Sequence, residues 1–280
     1  MTTARTRTVD DPKAGSLLRG WRKLRGLSQL ELALRADSSA RHISFIETGR
    51  STPSRSMVLH LAEHLDVPVR ERNALLMAAG HAPSYPETSL TAPEMTTLRA
   101  GLDQLLTAYE PFPALVMNGM YDVVAANKGV GMLLDGVAGH LLRPPLNAMR
   151  LTLHPEGLAP RIRNLGEWRA HLLERMDRQA TLRSSDALRG LYEEVAAYPA
   201  PAHDPRTGPD GRPEARTYVQ EAAVHPFALP LRIEAGGRVL SFVSTATTFN
   251  TPMDVTVSEL AVETFLPADP ETAAALRAAH

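Results

Sequence analysis

The 280-residue chain has no cysteine. That excludes a disulfide framework, a thiolate zinc site, an iron–sulfur cluster and a Cys nucleophile. It also lacks any apolar run approaching the ~18–20 residues that a membrane-spanning helix needs, so no membrane partner is expected. The stretch from Met1 to Lys13 has no apolar core of the kind a secretory signal carries, and a cytoplasmic location is expected. A strong charge of one sign is missing too: 30 Lys+Arg against 31 Asp+Glu leave a net of −1. As an average, that disfavours a nucleic-acid binder. A hydrophobic content of 44% and a charged content of 22% are ordinary for a globular protein and exclude wholesale disorder. The length suits two domains.

The average conceals an asymmetry. Residues 1–80 carry 13 Lys+Arg against 8 Asp+Glu, a net of +5, and the remainder carries 17 against 23, a net of −6. A basic module joined to an acidic one is what a chain shows when only one half meets a polyanion. Residues 80–93 hold three prolines and no apolar periodicity, which marks a boundary. A second proline-rich stretch, Pro199 to Pro213, reads as a long exposed loop. No internal repeat is present.

The basic module reads as five helices. Leu17, Leu18, Trp21 and Leu24 line one helical face. Ser28 with Glu31 three residues on is capping-box spacing, and Leu30, Leu32 and Ala33 give the second helix its inner face. Ser38 or Ser39 caps a third helix with Ile43 and Ile46 inward; Ser54 opens a fourth and Pro68 precedes a fifth. Two short helices joined by a turn of about three residues form a helix-turn-helix, whose second member can enter the major groove. That recognition helix, about Ser39 to Glu47, includes His42 and turns Ala40, Arg41, Ser44 and Phe45 outward. An arginine there can pair bidentately with guanine. Gln29 lies at the first turn of the preceding helix, where free N–H groups bind phosphate. Thr48, Arg50 and Arg55 can hold the DNA backbone on the far side, and Arg5 and Arg7 form a basic arm. His60 and His64 stand at i, i+4, a spacing that can chelate metal, but no third ligand supports it, so no metal site is expected.

These residues carry a family likeness. Leu27-Ser28-Gln29, Glu31-Leu32-Ala33, Ile43-Ser44, Ile46-Glu47-Thr48-Gly49-Arg50 and Pro53-Ser54 resemble the Cro/C1-type helix-turn-helix of the xenobiotic-response-element regulators, over about residues 13–80. The resemblance implies that Gln29 meets phosphate, that Arg41 leads base reading, and that Ala40 and Phe45 make apolar base contacts. The family's usual turn glycine is Asp37 here, a residue type that tolerates the left-handed conformation.

From Pro111 the period changes. Ala114 to Met117 and Tyr121 to Ala126 flank Asn118-Gly119, a hairpin signal. Asn127 caps a short helix. Leu146 to His154, Leu158 to Ala180 and Ser185 to Tyr198 read as helices. Val224 to Ile233 and Val239 to Thr245, joined by Gly236-Gly237, read as strands, followed by an apolar segment from Val255 to Leu266 and a terminal helix from Glu271 to Ala279. Strands, helices, then strands is an α+β order. The fold class expected is therefore an all-α helix-turn-helix domain of five helices (residues 1–80), a linker (81–94), and an α+β, PAS-like domain with an antiparallel sheet (95–280).

Pro113-Ala114-Leu115-Val116, Ala126-Asn127, His154-Pro155-Glu156-Gly157, Asn164-Leu165, Glu167-Trp168-Arg169 and Phe265-Leu266-Pro267-Ala268-Asp269 resemble the ligand-binding domain of the MmyB-like regulators. That resemblance implies a pocket between sheet and helices for a small amphipathic molecule, a fatty-acid-like effector, and no other cofactor. Apolar candidates to line it are Met117, Met132, Trp168, Leu172, Met176, Phe227, Phe242 and Phe249, since Met and aromatic residues suit adaptable cavities. Polar candidates are Asn127, His154, Arg161, Arg163 and Arg169, an arginine being able to hold a carboxylate bidentately.

No enzyme is expected. A Gly-x-Ser-x-Gly elbow, a phosphate loop and a dinucleotide fingerprint are all missing; Gly129-Val130-Gly131 lacks the third glycine, and Glu193-Glu194 lie on a polar helix face. The expected function is a sequence-specific DNA-binding transcription regulator, a homodimer on an inverted-repeat operator, controlled by its ligand. The alternative is a C-terminal protein-interaction module of the antitoxin or sigma-antagonist kind.

Overall fold

The structure is a computed structural model that describes residues 13–199 and 228–278. The basic arm around Arg5 and Arg7, the stretch 200–213 of the proline-rich loop, and Phe227 lie outside the described residues. The chain forms two compact units. One comprises residues up to Thr88 together with Thr251–Ser258; the other comprises Ser89–Asn250 and the residues from Glu259 onward.

The first unit holds five helices: α1 (Ala14–Leu24), α2 (Gln29–Arg35), α3 (Ala40–Glu47), α4 (Arg55–His64) and α5 (Val69–Ala78). Their apolar stripes meet in one core in which Leu18, Trp21, Leu32, Ile43, Ile46, Leu61 and Leu75 are buried. The capping box forms as the spacing predicts: Ser28 Oγ accepts the Glu31 N–H at 3.1 Å and Glu31 Oε2 accepts the Ser28 N–H at 2.7 Å. Leu27, before the cap, and Leu32, at the fourth helical position, share the same core, the hydrophobic staple that fixes how the chain enters the helix. Asp37 takes φ 45° in the turn to α3. Two expectations change. Leu30 is 60% exposed, because the seven-residue α2 has room for one inward stripe and Leu32 and Ala33 already fill it; Leu24, the last residue of α1, is 38% exposed.

Residues 81–88 do not run free of this unit. Asn73 Oδ1 accepts the N–H groups of Ser84 (2.9 Å) and Tyr85 (3.1 Å), its amide donates to Tyr85 O (2.7 Å), and Arg70 grips Glu87 through two bonds of 3.0 and 2.6 Å. The Val255 N–H donates to Pro86 O at 2.8 Å, and the Thr88 N–H donates to Asp254 Oδ2 at 3.0 Å. A proline-rich segment has few N–H groups of its own; the side chains of Asn73 and Asp254 accept those of Ser84, Tyr85 and Thr88, and the Val255 backbone N–H meets the Pro86 carbonyl.

The second unit opens with α6 (Thr96–Ala108), then β1 (Ala114–Met117), β2 (Val123–Ala126), α7 (Lys128–Gly131), α8 (Ala148–Leu153), α9 (Leu165–Arg183), α10 (Asp186–Ala196), β3 (Leu231–Ala235) and β4 (Arg238–Thr248). A single helical turn, α11 (Val255–Ser258), is the segment that belongs to the first unit. The chain returns as β5 (Ala261–Pro267) and α12 (Pro270–Ala278). The sheet is antiparallel throughout, in the order β2-β1-β5-β4-β3, so β5 is its central strand. The two-residue period of a strand sends Ala114, Val116 and Val262 to one face, against Leu102 and Leu106 of α6. Leu115, Met117, Ile233 and Phe242 face the other way, into a core with Trp168, Leu172, Met176 and Leu188.

Gly236 and Gly237 make the expected two-residue hairpin, both at positive φ (56° and 73°). The Asn118-Gly119 turn is longer than expected. Asn118 Oδ1 accepts the N–H groups of Met120 and Asp122, both at 2.9 Å, and Tyr121 takes φ 62°; this Asx-type turn tucks the tyrosine ring inward. The helix expected over Leu158 to Ala180 breaks at its start. A short 3₁₀ turn, Ala159–Arg161, contains Pro160, and Asn164 is drawn to β3, accepting the Arg232 N–H at 3.0 Å and donating to Pro230 O at 2.8 Å.

Candidate DNA interface and ligand cavity

The recognition helix α3 is set by a buried charge knot. Glu47 lies near its C-terminal end, and its carboxylate accepts Arg22 Nε at 2.6 Å and Arg22 Nη2 at 2.9 Å. Arg22 also donates to Leu27 O at 2.6 Å, and Gln29 Nε2 donates to Glu47 Oε2 at 2.8 Å. One carboxylate thereby ties α1, the start of α2 and the end of α3. Burial pushes the Glu47 carboxyl up, but the hydrogen bonds from Arg22 and Gln29 outweigh it and hold it below the usual carboxylate range; the bond to Glu47 raises Arg22. At the crossing of α1 and α3, a Cβ on Gly15 would run into the Ile46 carbonyl oxygen, so glycine permits the close approach.

On the outer side of α3, the Arg41 guanidinium lies 5.2 Å from the Phe45 ring centroid and Arg50 lies 5.9 Å from the same ring. Arg41, Ser39, Thr48 and Arg50 are exposed, while His42, Ser44 and Phe45 are half-buried. Ser39 Oγ caps the helix by accepting the His42 N–H at 3.1 Å, and the Thr48 hydroxyl donates to Ser44 O at 2.7 Å. Ala40 is half-buried, like Ser44 and Phe45, and packs in part against the domain core. Gln29 spends one amide hydrogen on Glu47 and keeps a second, beside first-turn N–H groups that lack intrahelical partners. Arg55 donates to Ser84 Oγ at 2.5 Å.

The second unit holds a partly open cavity of about 110 Å³, several times the ~10–15 Å³ that one ordered water requires. Its walls are Leu115 of β1, Val123 and Ala126 of β2, Val130 of α7, Leu133, Leu134 and Leu146 from the following loop, four residues of α8, Leu158, Trp168 and Leu172 of α9, Leu231 of β3, and Glu263 and Phe265 of β5. Trp168 and Leu172 are thus in the wall. The other described candidates are not among the lining residues. Met117, Met176 and Phe242 fill the adjoining core and Met132 packs on it, while Phe249 is 37% exposed. Asn127 is a structural clamp: it accepts the Ala114 N–H at 3.0 Å and donates to Leu106 O (3.1 Å) and Phe112 O (2.8 Å), which uses both of its amide hydrogens.

The arginines expected to anchor a ligand serve other ends. Arg161 donates to Leu133 O, Arg163 pairs with Glu234, and Arg169 donates to Tyr198 O (2.8 Å) and Ala196 O (2.7 Å) at the end of α10. The charged member of the wall is Glu263, missed in the sequence although it shares strand parity with Phe265. Glu263 is 5% exposed and accepts Arg175 Nη1 at 3.2 Å. Arg175 also sits 5.7 Å from the Tyr121 ring. Burial pushes the Tyr121 hydroxyl up, and burial, then the nearby Arg175, pulls His171 below its ordinary value.

His60 and His64 stack edge-on at 4.6 Å, and His60 Nε2 bonds Ala36 O at 2.9 Å, a packing role. Elsewhere His140, His154 and Glu156 bring ligand-type atoms within 4.8 Å of one another. His154 Nδ1 accepts the Glu156 N–H at 3.0 Å, so its neutral ring carries the proton on Nε2. A metal-bound histidine has the reverse arrangement, donating through its second nitrogen.

A family model described as the MmyB-like transcription regulator ligand binding domain matches residues 98–279. The chain belongs to the MmyB-like transcription regulators. A helix-turn-helix model matches residues 18–72, spanning the knot and α3. No curated protein matches the chain. This MmyB-like protein is a DNA-binding transcription regulator with a ligand-binding C-terminal domain, and its families are regulatory domains rather than enzymes. Among the described residues no helix is long and apolar enough to cross a membrane.

Proposed function

We propose that this regulator binds an inverted-repeat operator as a homodimer, and that a small amphipathic ligand with a hydrocarbon body, fatty-acid-like in that sense, occupies the cavity and sets operator affinity. Arg41 leads base readout, Gln29 and the α2 first turn hold phosphate, and Arg50 supports the backbone contact. Two recognition helices on a dimer read half-sites about 10–10.5 base pairs apart. The almost wholly apolar wall supports a hydrocarbon ligand.

The observation that carries the control is in the chain path. Phe265 and Glu263 of β5 line the cavity, and the segment just before β5, residues 251–258, belongs to the DNA-binding unit. A ligand that alters the seat of β5 therefore acts a few residues from chain that packs on the DNA-binding helices. It shifts the equilibrium only by its differential affinity for the two arrangements. The test pairs footprinting of selected operators with native mass spectrometry of protein made in cells. A two-fold symmetric footprint and a lipid-like mass retained by the protein are expected. An asymmetric single-site footprint, or an empty cavity with no thermal shift across hydrocarbon-chain compounds, would remove the reading.

A further inference from the structure

The cavity has an apolar body and one acidic wall. Among its described lining residues the polar ones are Glu263, Thr152 and Trp168, and Glu263 alone is charged. That carboxylate stands on the central strand, opposite Leu115 in the β1–β5 register, and Leu115 also lines the cavity. Arg175 is joined to it by one hydrogen bond of 3.2 Å, is itself turned onto the Tyr121 ring, and does not line the cavity. His171, close enough to feel Arg175 and Glu263, is pulled down by burial and by that arginine, so it adds no second cation. What this residue can offer the cavity is an acceptor carrying negative charge.

We infer that the Glu263 carboxylate selects the ligand's head group: the cavity takes a hydrocarbon-chain molecule headed by a hydrogen-bond donor, an amine or a hydroxyl, in preference to an ionised carboxylate. This rests on the reading of the cavity as the ligand site. The physics is that of a buried acceptor. A donor head completes the hydrogen bonding of Glu263 in surroundings where an unmet charged acceptor is costly. A carboxylate head puts two negative charges side by side at low dielectric, and the arginine paired with Glu263 is not among the cavity's lining residues. Arginine residues that could have received a carboxylate, Arg161, Arg163 and Arg169, are bonded to backbone carbonyls or to Glu234 instead.

The test measures binding of four eight-carbon compounds to the full-length protein by calorimetry: octylamine, octan-1-ol, octanoate and methyl octanoate. Octylamine and octan-1-ol are expected to bind about ten- to a hundredfold more tightly than octanoate, the span that one hydrogen bond to a charged group corresponds to. Glu263→Gln removes the charge and frees Arg175, so octanoate should gain and octylamine should lose. Octanoate binding the native protein as tightly as octan-1-ol would overturn the head-group assignment and leave the cavity reading standing. An order of affinities unchanged by Glu263→Gln would overturn it as well. If none of the four binds, the cavity reading fails and the assignment falls with it. The native panel decides even if the variant does not fold.

Discussion

Among the described residues, two Arg–Glu pairs with a buried carboxylate use the same chemistry in opposite ways. Arg22–Glu47 is bidentate, with bonds of 2.6 and 2.9 Å, and both partners have further bonds, to Leu27 O and from Gln29. Arg175–Glu263 is joined by one bond of 3.2 Å at the edge of a cavity. A buried charge is tolerated when its lone pairs and protons are met. The first pair meets that condition within the protein and so fixes how α3 is presented. The second leaves an acceptor beside open space, which is where a ligand can supply what the fold does not. Rigidity belongs to the reader and adaptability to the sensor.

Breaking the first pair gives the largest expected effect. Glu47→Ala or Arg22→Ala strands a buried charge and should cost about 3–5 kcal/mol, read as a lowered urea midpoint and loss of operator binding. A loss below about 1 kcal/mol, the scale of a surface pair, would erase the contrast. Next, Arg41→Ala should cost about 1–3 kcal/mol of operator affinity and blur one base position per half-site, as read by binding to a set of single-base operator variants. Gln29→Ala should weaken all sequences alike; a change in base preference there would give Gln29 a different role.

A smaller effect of the first pair is read in pH. Glu47 is held below its ordinary value, so on acidification the unfolded chain takes the proton first. Its contribution to stability is complete above the ordinary glutamate range of ~4.3, declines as pH falls below it, and is gone below the folded value. Urea melts across this range should show a slope that Glu47→Gln flattens. The smallest effect is at the surface. Arg150–Glu194 has good geometry, 2.6 Å, but both side chains are 40% exposed, and Glu194→Ala should cost no more than about 1 kcal/mol.

The difference between the units also explains what the sequence disclosed. In the DNA-binding unit, structure follows from local chemistry: Ser28 and Glu31 three residues apart, Ile43 and Ile46 on one stripe, Asp37 in the turn. Each is a short-range relation that a helix enforces. In the sensor unit the decisive relations are long-range. Glu263 meets Arg175 across 88 residues, and nothing local to either names the other. Trp168 and Leu172 could be picked because they recur on one helix; Val130, Leu146 and Thr152 come from separate elements that only the fold gathers. Arg161, Arg163 and Arg169 mislead for the same reason, since a sequence does not show which backbone carbonyls await a donor. Val255 to Ser258 read as the start of one apolar segment into β5, and the membership of Thr251–Ser258 in the other unit has no local signature.

The central claim, that occupancy of the sensor cavity sets operator affinity, has one direct measurement. Fluorescence anisotropy of a labelled operator, titrated with full-length protein with and without saturating octan-1-ol, gives the coupling between the two sites. The account predicts a change in operator Kd of about fivefold or more, in the range typical of linked sites, and its loss when Leu172→Trp fills the cavity. Identical operator affinities with and without bound ligand would contradict it.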